Sequence, residues 1–185
     1  MSVTDLLRPI GRNPGNGGGF GTEYYFAPQS YLTTQPIRDV TDVSKVTANL
    51  AFATGKRLIK LYATPASLEP SCKKAKGEND DNFGYECSIK GSRPGVDADA
   101  LKFITELDGE KGYIIIKRVS STGVVTMFLM GTEQNPIRLD DFELKFGASI
   151  TNATTTTPTF SCTQELPMAT YTGELQLTEV AGAGA

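Results

Sequence analysis

GYECSIKG (residues 84–91), DADALKFITELDG (97–109), KGYIIIKRVSSTGVVTMFLMG (111–131) and TEQNPIRL (132–139) follow one another with short joints, and their order decides the fold class. In the first, Tyr85, Cys87 and Ile89 alternate with Glu86, Ser88 and Lys90, the period-two pattern of a half-buried strand. Ser92, Arg93, Pro94 and Gly95 read as a turn. Asp97 is an N-cap residue, and Asp99 places negative charge in the first turn that follows. Ala100, Phe103, Ile104 and Leu107 recur at helical spacing as one apolar stripe, and Gly109 stops the helix. Two β-branched runs, residues 112–119 and 124–130, flank Ser120, Ser121, Thr122 and Gly123, which is hairpin chemistry. Their near-continuous apolarity predicts cover on both faces, by the helix on one side and something else on the other. Left bare, so apolar an edge would invite association.

Upstream, residues 22–28 (TEYYFAP) predict a strand halted at Pro28, and residues 56–64 (KRLIKLYAT) predict another, with Leu58, Leu61 and Tyr62 among its core candidates. Between them, residues 31–54 are dense in Thr and give no clear element, although Val40, Val43 and Val46 recur at intervals of three. Pro65 and Pro70 open a polar stretch that reads as a long loop over residues 65–83. Its acidic end, Glu78, Asp80 and Asp81, lacks the ligand spacing of a calcium loop and reads as solvated. The segment GRNPGNGGGFGT (11–22) is Gly-dense, yet a phosphate loop would end in Gly-Lys-Ser/Thr and this one does not. It reads as a mobile arm able to order against a neighbour.

Downstream, Phe142, Leu144 and Phe146 are expected to face inward while Asp141, Glu143 and Lys145 face water. TNATTTTPT (151–159) reads as a loop or hairpin tip, and residues 159–164 and 170–177 as the last strands. Asn152, Ala153 and Thr154 match a glycosylation sequon, without consequence where no secretory signal precedes it. The expected organisation is an arm (1–22), one β-rich domain (23–178) and a short tail (179–185).

Composition narrows the function. The 185 residues contain no His, which removes Ser-His-Asp and Cys-His catalysis, His-ligated metals and the usual general base near neutral pH. A formal charge of −3 gives no support to a phosphate-gripping surface, and Lys73, Lys74 and Lys76 are too few to reverse it. The acid pairs Glu106 with Asp108, Asp140 with Asp141 and Asp80 with Asp81 show no environments that would split their pKa values. No apolar run has the length of a membrane span, and the first residues hold Asp5 and Pro9 where a secretory signal needs an apolar region. Cys72, Cys87 and Cys162 lack the paired spacing of a zinc site. They are expected to be unpaired thiols in a reducing compartment, a Cys72–Cys87 bridge being the alternative. No cofactor, metal or membrane partner is implied.

From residue 84 to residue 173, about half of the chain, this order resembles the tail tube proteins of long-tailed bacteriophages, most of all those of phages infecting Bacteroidota. The resemblance rests on the GYECSIKG strand, the helix ending FITELDG and the hairpin YIIIKRVSSTGVVTMFLMG. TEQNPIRLDDFELKFGASIT, a Thr-rich turn and TFSCTQELPMATYTG follow. It implies a mainly β fold, a tail-tube-like β-sandwich or partial barrel with one flanking α-helix. It also implies a structural, non-catalytic virion protein, assembled in the host cytoplasm, whose copies close into rings. The rings stack into a channel that passes DNA without holding it and meets other tail proteins. Carboxylates facing such a lumen repel phosphates, and Asp141, Glu143 and Lys145 are the candidate lumen-facing positions. Cys72, Lys73, Lys74, Lys76, Asp80 and Asp81 in the long loop, with Gly17, Gly18 and Gly19 in the arm, are the candidate assembly contacts. A tail terminator, a head decoration protein and a non-catalytic β-sandwich binding module stand as alternatives. The binding module lacks Trp for a sugar platform, and the consecutive Tyr24, Tyr25 and Phe26 point to opposite faces.

Overall fold

The computed structural model describes residues 19–76, 83–119, 124–147 and 153–181. β1 (Gly19–Pro28) passes through a 3-10 turn at Gln29–Tyr31 into β2 (Leu32–Thr34), β3 (Lys45–Val46), β4 (Ala51–Phe52) and β5 (Ile59–Tyr62). Next come β6 (Glu69–Lys76), β7 (Phe83–Lys90) and β8 (Arg93–Pro94), and then the helix α1 (Ala98–Leu107). β9 (Lys111–Val119), β10 (Val125–Met130), β11 (Ile137–Lys145), β12 (Thr155–Gln164) and β13 (Ala169–Tyr171) complete the order. The class is mainly β with one helix among the described residues, and the arrangement is sandwich-like.

Among the described residues, eleven strands belong to one sheet, which divides at the start of β9. One edge of β9 runs along β1, from Gly19 opposite Val119 to Pro28 opposite Gly112. The other edge is shared: β10 takes Ile114 to Val119, and β11 takes Gly112 and Lys111 through Ile137 and Arg138. From this division one leaf runs β5-β1-β9-β10-β13-β3, and the other runs β11-β12-β7-β6. β8 continues the line of β7 along β12, after an interruption at Gly91 and Ser92. The leaves meet face to face where Phe26 of β1 stacks on Phe160 of β12, ring centroids 5.5 Å apart.

Directly opposed residues of antiparallel strands share a face. Leu61 with Tyr24 and Ile116, and Ile59 with Phe26 and Ile114, therefore line the inner face of the first leaf, and all six are buried. Tyr25, Ile115, Leu129 and Ala169 line its outer face and are equally buried. The chain itself supplies that cover. Tyr113 donates its hydroxyl proton to Gln35 at 2.8 Å, and the Leu50 N–H donates to the Tyr171 hydroxyl at 3.2 Å. Residues from the small β2–β4 sheet, Leu32 and Phe52, join the same core cluster. Covering both faces of β9 thus requires no second subunit along its middle.

The helix follows its sequence signals. Asp97 accepts a hydrogen bond from the Ala100 N–H at 2.9 Å, and Ala100, Phe103 and Leu107 are buried in the common core. Arg93, only 2% exposed, donates to both oxygens of Asp97 at 3.0 and 2.8 Å. This fork ties the helix start to β8 and so to β12. Hydrogen bonds from Arg93, together with the cap, hold the Asp97 carboxyl below its ordinary pKa despite the opposing effect of partial burial.

Several expectations need correction. Residues 65–83 are not one loop: β6 pairs with β7 over eight positions, from Glu69 opposite Lys90 to Lys76 opposite Phe83. Arg93 and Pro94 form a short strand rather than a free turn, and Thr155, Thr156 and Thr157 begin β12 rather than a hairpin tip. The last strand ends at Tyr171, so residues 172–177 lie beyond it. Gly19 to Thr22 belong to β1, which moves the domain boundary into the expected arm. Phe146 lies past the end of β11 and is 72% exposed, while Phe142 and Leu144 are half-buried as the alternation requires. Cys72 and Cys87 are bonded, and Cys162 alone is free. Glu78, Asp80, Asp81, Asn152 and the hairpin residues 120–123 lie outside the described residues.

Gly112 stands at the division of the sheet, where a Cβ would lie 2.1 Å from the Ala27 carbonyl oxygen and 2.9 Å from Phe26 Cζ. Gly112→Ala is expected to lower the unfolding free energy by about 3 kcal/mol, at the top of the range for overpacking, because backbone must yield. An unchanged urea midpoint would contradict this close approach. Asp97→Asn keeps a good N-cap but removes the charge opposite buried Arg93, and should cost about 2 kcal/mol at pH 7. The depressed carboxyl contributes stability above its unfolded pKa of about 3.9 and loses it as pH falls through the folded value. Urea titrations should therefore show a weaker acid dependence below about pH 4 in the variant than in the parent; parallel curves would count against the pair.

Candidate assembly surface

The candidate lumen-facing residues sit on the outer face of β11. Asp141 stands opposite Thr159, Glu143 opposite Thr157 and Lys145 opposite Thr155, and all three are exposed. Lys145 pairs with Glu143 at 3.2 Å, an exposed contact of the kind that contributes little to stability. Asp141 accepts a hydrogen bond from the Phe142 N–H at 2.7 Å. A register shift between Leu139 and Asp141 inserts Asp140 as an extra residue in β11. The bulge keeps Arg138 on the same outer face as Asp141, Glu143 and Lys145.

That face extends across the second leaf as a polar band. Ser71, Ser88, Ser161, Arg138 and Lys111 are successive partners across β6, β7, β12, β11 and β9. Glu86, Ser88, Lys111, Arg138, Asp140 and Ser161 line a groove of about 570 Å³ on it. Period-two alternation alone turns Glu86, Ser88 and Lys90 outward, but nothing local in the chain signals Lys111 and Arg138. Their meeting depends on β11 crossing from β9 to β12, a long-range pairing that no local spacing encodes.

The candidate assembly contacts separate. Cys72 is held in its bond to Cys87 and packs against the core. Lys73 stands opposite Glu86 on the outer face, whereas Lys74 and Lys76 alternate onto the face of Cys72. The three lysines are exposed but do not form one patch. Gly19 pairs with Val119 at the far end of β9. Asp80, Asp81, Gly17 and Gly18 lie outside the described residues.

The far end of the β9–β10 hairpin was not singled out by its sequence, and it is where apolar surface emerges. Val119 at the end of β9 is 42% exposed, Val124 just before β10 61% and Val125 at its start 49%, whereas the middle of β9 is fully buried and β10 becomes so at Leu129 and Met130. Strand β13 accompanies β10 only from Met127 to Leu129, so the sheet is stepped back beside these valines. Models of known protein families, curated proteins and solved structures provide no match to this chain.

Asp141→Asn combined with Glu143→Gln should change stability by no more than about 0.5 kcal/mol, because both side chains are exposed and their partners local. A loss above about 2 kcal/mol on thermal or urea unfolding would mean that this face serves the fold rather than an open surface.

Proposed function

We propose that the chain is a structural virion protein, a tail tube subunit that self-assembles into stacked rings around a DNA-conducting channel. The observation that carries this reading is the end of the β9–β10 hairpin. Core strands continue into exposed valines there, beside a sheet edge that β13 leaves stepped back. Such an edge is satisfied by a neighbouring copy, and ring closure removes it from solvent.

Two further features support the reading. The described residues of 84–173 run as strands β7 and β8, the helix and strands β9 to β13, a succession compatible with the order that the resemblance implies, although β12 and β13 pair with other strands and not with each other. The outer face of β11 interleaves Asp141 and Glu143 with Arg138 and Lys145, a mixed surface that presents carboxylates to passing phosphate without a net basic grip. In this role the protein needs no cofactor and performs no catalysis. Its partners are further copies of itself, other tail proteins and DNA in transit, and its place is the virion after assembly in the host cytoplasm.

Negative-stain electron microscopy of the purified protein should show rings and stacked tubes as concentration is raised. Isolated rings that never stack would support a terminator instead. A monodisperse monomer at every salt and protein concentration would refute the proposal.

A further inference from the structure

The three cysteines of the chain occupy a single register row. Cys72 of β6 stands opposite Cys87 of β7, and Cys87 stands opposite Cys162 of β12. Cross-strand partners project to the same face, and this is the inner face of the second leaf, shared with Ile89 and Phe160. Cys87 is fully buried in the middle; Cys72 and Cys162 are half-buried on its two sides and pack against the core. Cys72 and Cys87 are joined, while Cys162 holds the free thiol.

The row restricts which bonds are available. The Cys72–Cys87 pair, with Cα atoms 4.1 Å apart, is the close non-hydrogen-bonded kind, so Cys162 faces Cys87 across the wider hydrogen-bonded pair, with Cα atoms about 5.5 Å apart and still within disulfide reach. Cys72 and Cys162 are two strand spacings apart, roughly 9.5 Å, beyond the reach of a disulfide. Cys87 can therefore bond either neighbour, and the neighbours cannot bond each other. The sheet also sets the three sulfur positions in sequence across the strands, with the disulfide pointing away from the free thiol. That is the order of attacking, central and leaving sulfur in thiol–disulfide exchange.

We infer that this row is an intramolecular thiol–disulfide exchange site in which Cys87 is shared between two partners. The Cys162 thiol gives up its proton, and its thiolate attacks Cys87 Sγ. The Cys87–Cys162 bond forms as the Cys72–Cys87 bond breaks, and Cys72 leaves as a thiolate that takes up a proton. One disulfide and one thiol are present before and after, so no oxidant or reductant is consumed.

The surroundings suit a slow exchange. Cys162 Sγ lies 3.8 Å from Gln164 Oε1, which also accepts from the Gly131 N–H. Burial pushes the Cys162 thiol up to about 11, with the Gly131 backbone acting weakly the other way, so little of it is thiolate near neutrality. The exchange moves the covalent tie inward, from β6–β7 to β7–β12. The outermost strand is then left attached by its backbone ladder, with the Cys72 thiol upon it.

The test uses the folded full-length protein, without denaturant or reductant. It is incubated at mildly alkaline pH, quenched in acid, alkylated and mapped by mass spectrometry of its linked peptides. Both Cys72–Cys87 and Cys87–Cys162 peptides are expected, with alkylation shared between Cys162 and Cys72 and excluded from Cys87. In Cys162→Ser the label on Cys72 should vanish. Label confined to Cys162 however long the incubation, or any Cys72–Cys162 peptide, would overturn the inference. As an independent arm, Cys72→Ser treated with oxidised glutathione should close Cys87–Cys162 while its circular dichroism stays that of the parent. Two persistent thiols in that folded variant would equally overturn it.

Discussion

The molecule depends on the backbone contact at Gly112. There β9 is paired on one edge with Pro28 of β1 and on the other with Ile137 of β11, and the two leaves diverge from that point. The approach leaves no room for a side chain, since a Cβ would fall 2.1 Å from the Ala27 carbonyl oxygen. Gly131 completes the junction with φ of +95°, a conformation that other residues resist, and carries the chain from β10 round to β11. Two glycines therefore let one strand serve both leaves, and the inward stacking of Phe26 on Phe160 follows from that geometry.

Much of this was legible in the sequence, and the failures have physical causes. The helix was readable because Asp97, Asp99, the apolar stripe and Gly109 agree with one another. The β9–β10 hairpin was readable from its β-branched runs. Strand β6 was not, because an outermost strand carries Pro and Lys to discourage further pairing, and those residues look like a loop. The threonines of β12 read as a turn although Thr favours strands, since Pro158 argues against a ladder. Pro158 is tolerated where the line of β7 and β8 is interrupted. Cys72 and Cys87 were expected to be separate because a bond between them needs the β6–β7 register, which the missed strand concealed.

The candidate surface was legible to a lesser extent. Outward alternation placed Asp141, Glu143 and Lys145 correctly as exposed, because it needs only one strand and its period. The basic cluster did not survive: adjacent lysines on a strand point apart, so Lys73 leaves Lys74 and Lys76. Nor does the middle of β9 require a neighbour, since residues around Gln35 and Leu50 already close its outer face. The physical case for self-association is therefore narrower than apolar composition suggests. It rests on the valines at the hairpin end and on the stepped sheet edge beside them.

Sedimentation velocity across a range of concentrations, on the parent and on Val124→Asp combined with Val125→Asp, tests that case most directly. The parent should shift to multi-copy species as concentration rises, while the variant melts at the parent's temperature and stays monomeric. Equal assembly by both proteins would place the contact elsewhere, and a parent that never leaves the monomer would contradict the account.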